Sequence, residues 1–369
     1  MVDEKISPAE FTGILVTTVL PTALLSVPAV AVGLAGRDAW MTEILASVFG
    51  LMVVFVSTML SFRFPEKTIF QYTNDILGKY LGKLIGLAYL FFIIIGAAQI
   101  IRQFGAFIVI SYLPRTPLLV SNIVLIMLAA YAVKSGFEVI ARMNQFVLLI
   151  MLVSLAGIFL LVTNEFRHEH LLPVLENGVK PVLRGGLTPS AWKGEVFILM
   201  IFLPYLNQYK KARAAAVKSV IILSVIMFLD IVICLGVFGL QTAQFVFPVF
   251  SLAYYIEVAA FIERVEAVVL ALWVSGVTIK VAIWYYAGVL GITQIFGLKN
   301  YKPVVFPLGL ILGVLSLIVF DNSTEAARFF AHEFPPYAFT FEIIIPIGLL
   351  ILAVIRKKNS FQQKGGKSK

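Results

Sequence analysis

Ten apolar stretches, each close to or beyond the length of a bilayer crossing, decide what this chain can become. They lie at residues 11–33, 40–62, 83–111, 118–134, 138–163, 182–209, 216–240, 262–291, 304–320 and 337–355. A crossing helix needs about 20 mostly apolar residues, because the hydrocarbon layer is about 30 Å thick and each residue rises about 1.5 Å. No water is available there to satisfy backbone groups, so each stretch must be helical. The expected fold is an all-α polytopic membrane protein. Several stretches exceed 25 residues, which implies tilt or extension into the interface. Residues 182–209 fit least well, because Arg184, Lys193 and Glu195 dilute their first half.

Composition agrees and excludes other classes. The 369 residues are 60% hydrophobic and 13% charged, with mean hydropathy +0.97, well outside the balance of soluble domains. A single cysteine, Cys234, rules out a disulfide framework. His168, His170 and His332 fall in predicted loops and form no cluster with metal-ligand spacing, so no metal or other cofactor is expected. Neither HExxH nor GxSxG occurs, and nothing else suggests an enzyme. The net charge of +9 sits at span ends rather than on one face, which points to anionic lipid rather than nucleic acid as its counterpart. Asp3, Glu4 and Glu10 near the start, with a first span too long for a leader, predict no cleavable signal peptide.

Orientation follows from lysine and arginine. With the N-terminus inside, 19 of the 29 basic residues fall in cytoplasmic segments and 8 outside, while Arg102 and Lys280 lie within spans. Both termini are therefore expected in the cytoplasm. Two outer segments read as structured: residues 164–181, and the aromatic-rich 241–261, whose Pro248 and Glu257 suit a short helix lying in the interface. The basic tail, 356–369, is rich in Lys, Gly, Gln and Ser and reads as disordered.

Ten spans divide into five plus five, and an odd number forces the second half to enter the membrane in the opposite sense. The expectation is one transporter-like domain over 1–355, built as a 5+5 inverted repeat of about 8–163 and 182–355. In such folds the first helix of each half is interrupted and the substrate lies between the breaks. Pro21 stands mid-way through the first span, flanked by Thr17, Thr18 and Thr22; the sixth carries Trp192-Lys193-Gly194-Glu195 and then Pro204. An ordinary proline kink is the alternative for the first. At a break, freed N–H groups can hold a carboxylate, and freed carbonyls or Glu195 an ammonium; Glu195 could equally be a helix-end residue near the outer interface. Lys280, about 25 Å along the eighth span by helical rise, is too deep to snorkel and reads as functional. Arg102 and Asp230 read as an inter-helix pair or as donor and acceptor to backbone, and Glu342 as near enough to the outer end to reach water. Glu263 and Glu266 read as first-turn carboxylates that favour the dipole of the eighth helix.

The sequence also resembles a known family. Leu24-Leu25-Ser26-Val27-Pro28 and Asp38-Ala39-Trp40 come first, then Arg63-Phe64-Pro65 with Leu77-Gly78-Lys79-Tyr80-Leu81-Gly82. Leu113-Pro114-Arg115-Thr116-Pro117 and Leu172-Pro173-Val174-Leu175 with Gly178 follow. Last come Phe202-Leu203-Pro204 with Lys210-Lys211, and Phe261-Ile262-Glu263-Arg264 before Trp273. In this order and spacing they resemble the spore germination permeases, the B subunits of nutrient germinant receptors, within the amino acid–polyamine–organocation transporter superfamily.

The resemblance implies a protein of the spore inner membrane that binds a small nutrient such as an amino acid. Its implied partners are a membrane-embedded A subunit and a lipoprotein C subunit. Carried over by position, the pocket involves Leu20, Pro21, Thr22 and Ala23 of the first span and Gly96 and Ile100 of the third. It also involves Trp192, Gly194 and Glu195 of the sixth and Lys280 of the eighth. The chain departs from the family pattern at Pro21-Thr22-Ala23, where small glycine-containing sequence is usual, and at Ala106, where a carboxylate is common. A proton-coupled amino acid transporter with Lys280 in place of a sodium ion shares the fold and pocket and is the rival reading.

Overall fold

The computed structural model describes residues 4–255 and 265–358. Helix α1 (Pro8–Ala35) opens on a capping box in which Ser7 Oγ accepts from the Glu10 N–H at 3.2 Å and the Glu10 carboxylate from the Ser7 N–H at 2.7 Å. The 3-10 turn Gly36–Asp38 leads into α2 (Ala39–Ser61). The short α3 (Ile69–Leu77) meets α4 (Lys79–Ser111) so tightly that a Cβ on Gly82 would lie 2.5 Å from the Asn74 backbone. Helices α5 (Leu118–Ser135) and α6 (Phe137–Leu161) join at Gly136, whose φ of +106° admits few other residues.

The sixth span is assembled from pieces: α7 (Val179–Gly185), α8 (Leu187–Gly194), the 3-10 turn Glu195–Ile198, α9 (Leu199–Phe202) and a last 3-10 turn at Leu203–Tyr205. Then follow α10 (Ala212–Phe238), α11 (Pro248–Tyr255), α12 (Val265–Ile295) and α13 (Lys302–Ile318). The last span begins at α14 (Ser323–Arg328) and passes through a π turn, Phe329–Glu333, into α15 (Phe334–Phe339). A second π turn, Thr340–Ile344, leads to α16 (Ile345–Ile355).

Eight segments among the described residues are long and apolar enough to cross a membrane. The first of them holds both α1 and α2, and α13 is a further, shorter apolar helix. Each expected span thus finds a helix. Lipid-facing character is plain on α5, α6 and α13, where Met127, Phe146 and Leu310 are each more than 60% exposed. The sixth span is the reverse: 94% of its most apolar window is buried, against 28% for α6. Lys193 and Glu195 face protein rather than lipid, which is why hydropathy alone read the span poorly.

Four expectations need correction. Helix α1 runs unbroken through Pro21 and Pro28, so the expected interruption of the first span is absent. Neighbours accommodate the proline: its ring packs beside Gly276, where even a Cβ would make only ordinary contact with it at 3.6 Å, and its carbonyl accepts from Trp273 Nε1 at 2.8 Å. Lys193, one of the eight basic residues counted as outside, is buried within the protein and paired with Glu43 of α2. Glu342 does not reach water, since the last helix starts 14 residues earlier than expected and carries it into the core with no exposed surface. Helix α11 does not lie on the interface: Val249, Phe250, Leu252 and Ala253 are buried, with Phe250 edge-on to Phe107. Glu257, Glu263, Arg264 and the side chain of Glu266 lie outside the described residues, as does the tail beyond Lys358.

Both described ends of the chain sit at one end of the bundle. Arg63, just past α2, donates to the Lys358 carbonyl at 3.4 Å, and Arg356 to that of Ile76 at 2.7 Å. At the same end, Ile6 pairs with Leu206 in a short parallel bridge, and Lys5 Nζ donates to the Pro204 carbonyl at 2.9 Å. Glu4 accepts from the Phe137 N–H at 2.8 Å, capping α6. This strap joins the start of α1 to the end of the sixth span.

Candidate functional site

The interruption of the sixth span places a carboxylate deep in the bundle. At Glu195 the α-helical turn tightens to 3-10, a change that mid-helix marks a hinge or strain. Lys280 of α12 reaches across to it: Nζ lies 2.7 Å from Glu195 Oε2 and donates to Thr22 Oγ1 of α1 at 2.6 Å. Lys280 has no exposed surface and Glu195 is 4% exposed. Two charges taken from water hold together only with good geometry and satisfied hydrogen bonds, and here three separate elements supply them. A second buried pair, Lys193 with Glu43, lies beside it; Ser224 Oγ accepts from Lys193 Nζ at 3.1 Å and Ser47 Oγ at 3.3 Å.

A closed cavity of about 20 Å³ adjoins the inner pair. Thr22, Gly96, Ile100, Trp192 and Glu195 line it, half of the residues expected at the site. Gln99, Gln103 and Phe92 of α4, Trp284 of α12, and Phe330 and Phe334 complete the wall. It holds about one water. Trp192 stacks on Phe330 with centroids 5.2 Å apart. Gly96 makes room for the Trp284 indole, since a Cβ there would fall 2.6 Å from the ring. Trp284 Nε1 is buried and without a partner among the described residues.

The other expected residues stand behind this wall. Leu20 and Ala23 are core residues of α1, Pro21 packs on α12, Gly194 lies under Glu342, and Lys280 acts through Glu195 and Thr22. Gln99 and Gln103 escaped the sequence reading, although a signal was present. With Gly96 and Ile100 they recur at positions i, i+3, i+4 and i+7, one polar-edged face on an otherwise apolar helix.

Two larger cavities flank the small one. The first, about 520 Å³, opens towards the end of the bundle away from the termini, between Gly33, Arg102, Phe247 and Ser323. It shares Gln103 and Phe330 with the closed cavity, so these two side chains form the partition. Gln103 Nε2 donates to Ser26 Oγ at 2.7 Å, bracing α4 on α1. The second, about 530 Å³, lies beyond Gln99 among Glu325, Arg328 and Glu333. Arg102 and Asp230 are not paired with each other. Arg102 donates to the Asp321 carbonyl at 3.3 Å, and Asp230 is buried on α10 with the Cys234 thiol 3.6 Å away.

Known proteins agree with this architecture. Residues 5–325 match the family model described as spore germination protein. Spore germination protein KB of Bacillus subtilis (strain 168) is 28% identical over 356 residues, covering 95% of each chain. Spore germination protein YndE of the same organism is 26% identical over 358 residues, covering 96% of this chain and 98% of its own. Among solved structures, MhsT in complex with L-phenylalanine aligns with a TM-score of 0.70 at 14% identity, over 96% of this chain and 99% of that one. Mhp1, a nucleobase-cation-symport-1 family transporter closed around bromovinylhydantoin, gives 0.58 at 12% identity over 91% and 76%. At such identities the likeness is one of fold, and the fold is that of membrane transporters. With its sequence matched along most of its length, the chain belongs to the spore germination permease family, as a multi-pass membrane protein on a transporter scaffold.

Proposed function

We propose that this chain is the germinant-sensing B subunit of a spore nutrient receptor, binding a small nutrient such as an amino acid where α1, α4, the sixth-span interruption and α12 meet. One observation carries the reading: Thr22, Glu195 and Lys280, from three distant parts of the sequence, converge beside a cavity lined by Gly96, Gln99 and Trp192. Because Lys280 already neutralises Glu195, a zwitterion meets a locally balanced site. The spare Trp284 N–H and the Gln99 and Gln103 amides are then the groups left to recognise its polar ends. At about 20 Å³ the cavity is shut, so the ligand enters from the 520 Å³ side when Phe330 and Gln103 part.

The fuller assignment rests on the family. The chain works in the inner membrane of the spore with A and C subunits, in contact with anionic lipid, and both termini are cytoplasmic. Repeats of about 8–163 and 182–355 form one domain over 1–355, followed by the basic tail 356–369. Ligand binding shifts the equilibrium between closed and open forms, which the partners read; this requires the two forms to bind the ligand unequally. The rival, a proton-coupled amino acid transporter, draws support from the transporter neighbours.

Thermal unfolding of the purified chain across the common amino acids tests the pocket. A true ligand at 100 times its Kd stabilises the native state by about 2.7 kcal/mol. The expected result is a shift with one compound or a small related set. No shift with any, in the chain alone and in the assembled complex, refutes the proposal. Uptake of the same labelled compound into vesicles selects the transporter.

A further inference from the structure

Glu342 is an ionisable residue whose environment the proposed ligand site leaves unexplained. It has no exposed surface, and neither carboxylate oxygen has a hydrogen-bond partner among the described residues. It sits in the π turn Thr340–Ile344, a local widening of the helix that recurs at functional positions. Its carboxyl end lies against the sixth-span interruption, with Oε2 only 1.9 Å from where a Cβ on Gly194 would be. Glycine at 194 is thus what allows the contact.

The titratable groups on the neighbouring elements offer no counter-charge. From α2 comes Glu43, already paired with Lys193 of α8. From the 3-10 turn comes Glu195, paired with Lys280 of α12 and within electrostatic reach of Glu342 as a like charge. From α15 comes Tyr337, and α16 contributes no titratable group. From α4 comes Tyr89, whose hydroxyl is committed to the Phe341 carbonyl at 2.8 Å. Both buried lysines are therefore spent. An ionised carboxylate here would be unpaired in a water-free core, a state that costs several kcal/mol, which a side chain escapes by taking up a proton.

We propose that Glu342 is a proton-binding site, holding a neutral carboxylic acid against Gly194 in the closed form. Ionisation demands water or a cation at the carboxylate, and the closed packing admits neither. Release of the proton therefore accompanies separation of the last span from the sixth-span interruption. The bond that breaks is the O–H of the acid, and the proton passes to water entering that gap. This inference stands on its own residues and does not depend on which molecule fills the cavity near Thr22.

Infrared spectroscopy of the full-length protein in lipid nanodiscs tests it. At neutral pH the wild type is expected to show the carbonyl stretch of a buried protonated carboxylic acid. The band should vanish in Glu342→Gln and persist in Asp230→Asn, which removes another buried carboxylate lacking a cation. If Glu342→Gln does not fold, Glu342→Asp should move the band. An unchanged band in whichever variant folds overturns the proposal. Hydrogen exchange tests the coupling: after correction for intrinsic rates, raising the pH should speed exchange across 187–205 several-fold in the wild type but not in Glu342→Gln. The same acceleration in both sinks the linkage.

Discussion

Replacing Lys280 by methionine isolates the energetics of the inner ion pair, because methionine keeps most of the stem and leaves little cavity. In the wild type Nζ is shared between Glu195 Oε2 at 2.7 Å and Thr22 Oγ1 at 2.6 Å, with no exposed surface on the lysine. Lys280→Met abandons a carboxylate that is 4% exposed. Breaking one side of a buried pair costs about 3–5 kcal/mol, or roughly two to three and a half powers of ten in the folded-to-unfolded ratio. Most of that cost is the stranded charge, so Glu195→Gln added to Lys280→Met should recover at least half. The assay is reversible denaturation in detergent, followed by tryptophan fluorescence; Trp192 and Trp284 line the adjoining cavity. A double-mutant cycle with no coupling, or a Lys280→Met variant within about 0.5 kcal/mol of the wild type, a change typical of surface sites, would falsify the account of a tight, buried pair.

Three further outcomes are expected. Thr22→Val keeps shape but removes an acceptor for a charged donor, and should cost about 1.5–3 kcal/mol by the same denaturation assay; a neutral result means water replaces the hydroxyl. Gly96→Ala forces a methyl into the Trp284 ring and should cost about 1–3 kcal/mol while abolishing any ligand-induced thermal shift, and an undiminished shift removes the α4 face from the site. Phe330→Ala should open the partition, so that a cysteine placed at Thr22 reacts many times faster with a water-soluble maleimide added from the side of the large cavity. Equal labelling rates with and without Phe330 mean the barrier lies elsewhere.

What could be read from the sequence divides along physical lines. Helical character came through because the bilayer leaves a chain no other way to satisfy its backbone. Lys280 was legible as a costly charge in apolar sequence, but Glu195 read equally as a ligand at the break or a helix-end residue, and that the two are partners took the fold to show. Pro21 misled because a proline's effect depends on its neighbours: Trp273 takes up its carbonyl, and α1 stays whole. Glu342 was misplaced because the polar start of the last helix, at Asn322 and Ser323, resembled loop, which shifted the span's apparent edge. Phe330 and Phe334 gave no signal at all. Aromatic residues four apart are ordinary in membrane helices, and only the fold shows that they face Trp192 rather than lipid.

The closed cavity has a bearing on how measured affinity should be understood. A space of about 20 Å³ cannot admit a molecule larger than water, so each binding event draws on copies whose partition is already displaced or becomes displaced. If about one copy in a hundred is competent, the apparent Kd is about a hundredfold weaker than that of the open site itself. Substitutions that loosen Phe330 would then tighten binding without adding a contact, and those that brace Gln103 on Ser26 would weaken it without touching the ligand. Under the proposed function, responsiveness to a nutrient is in that sense set by a door as much as by the room behind it.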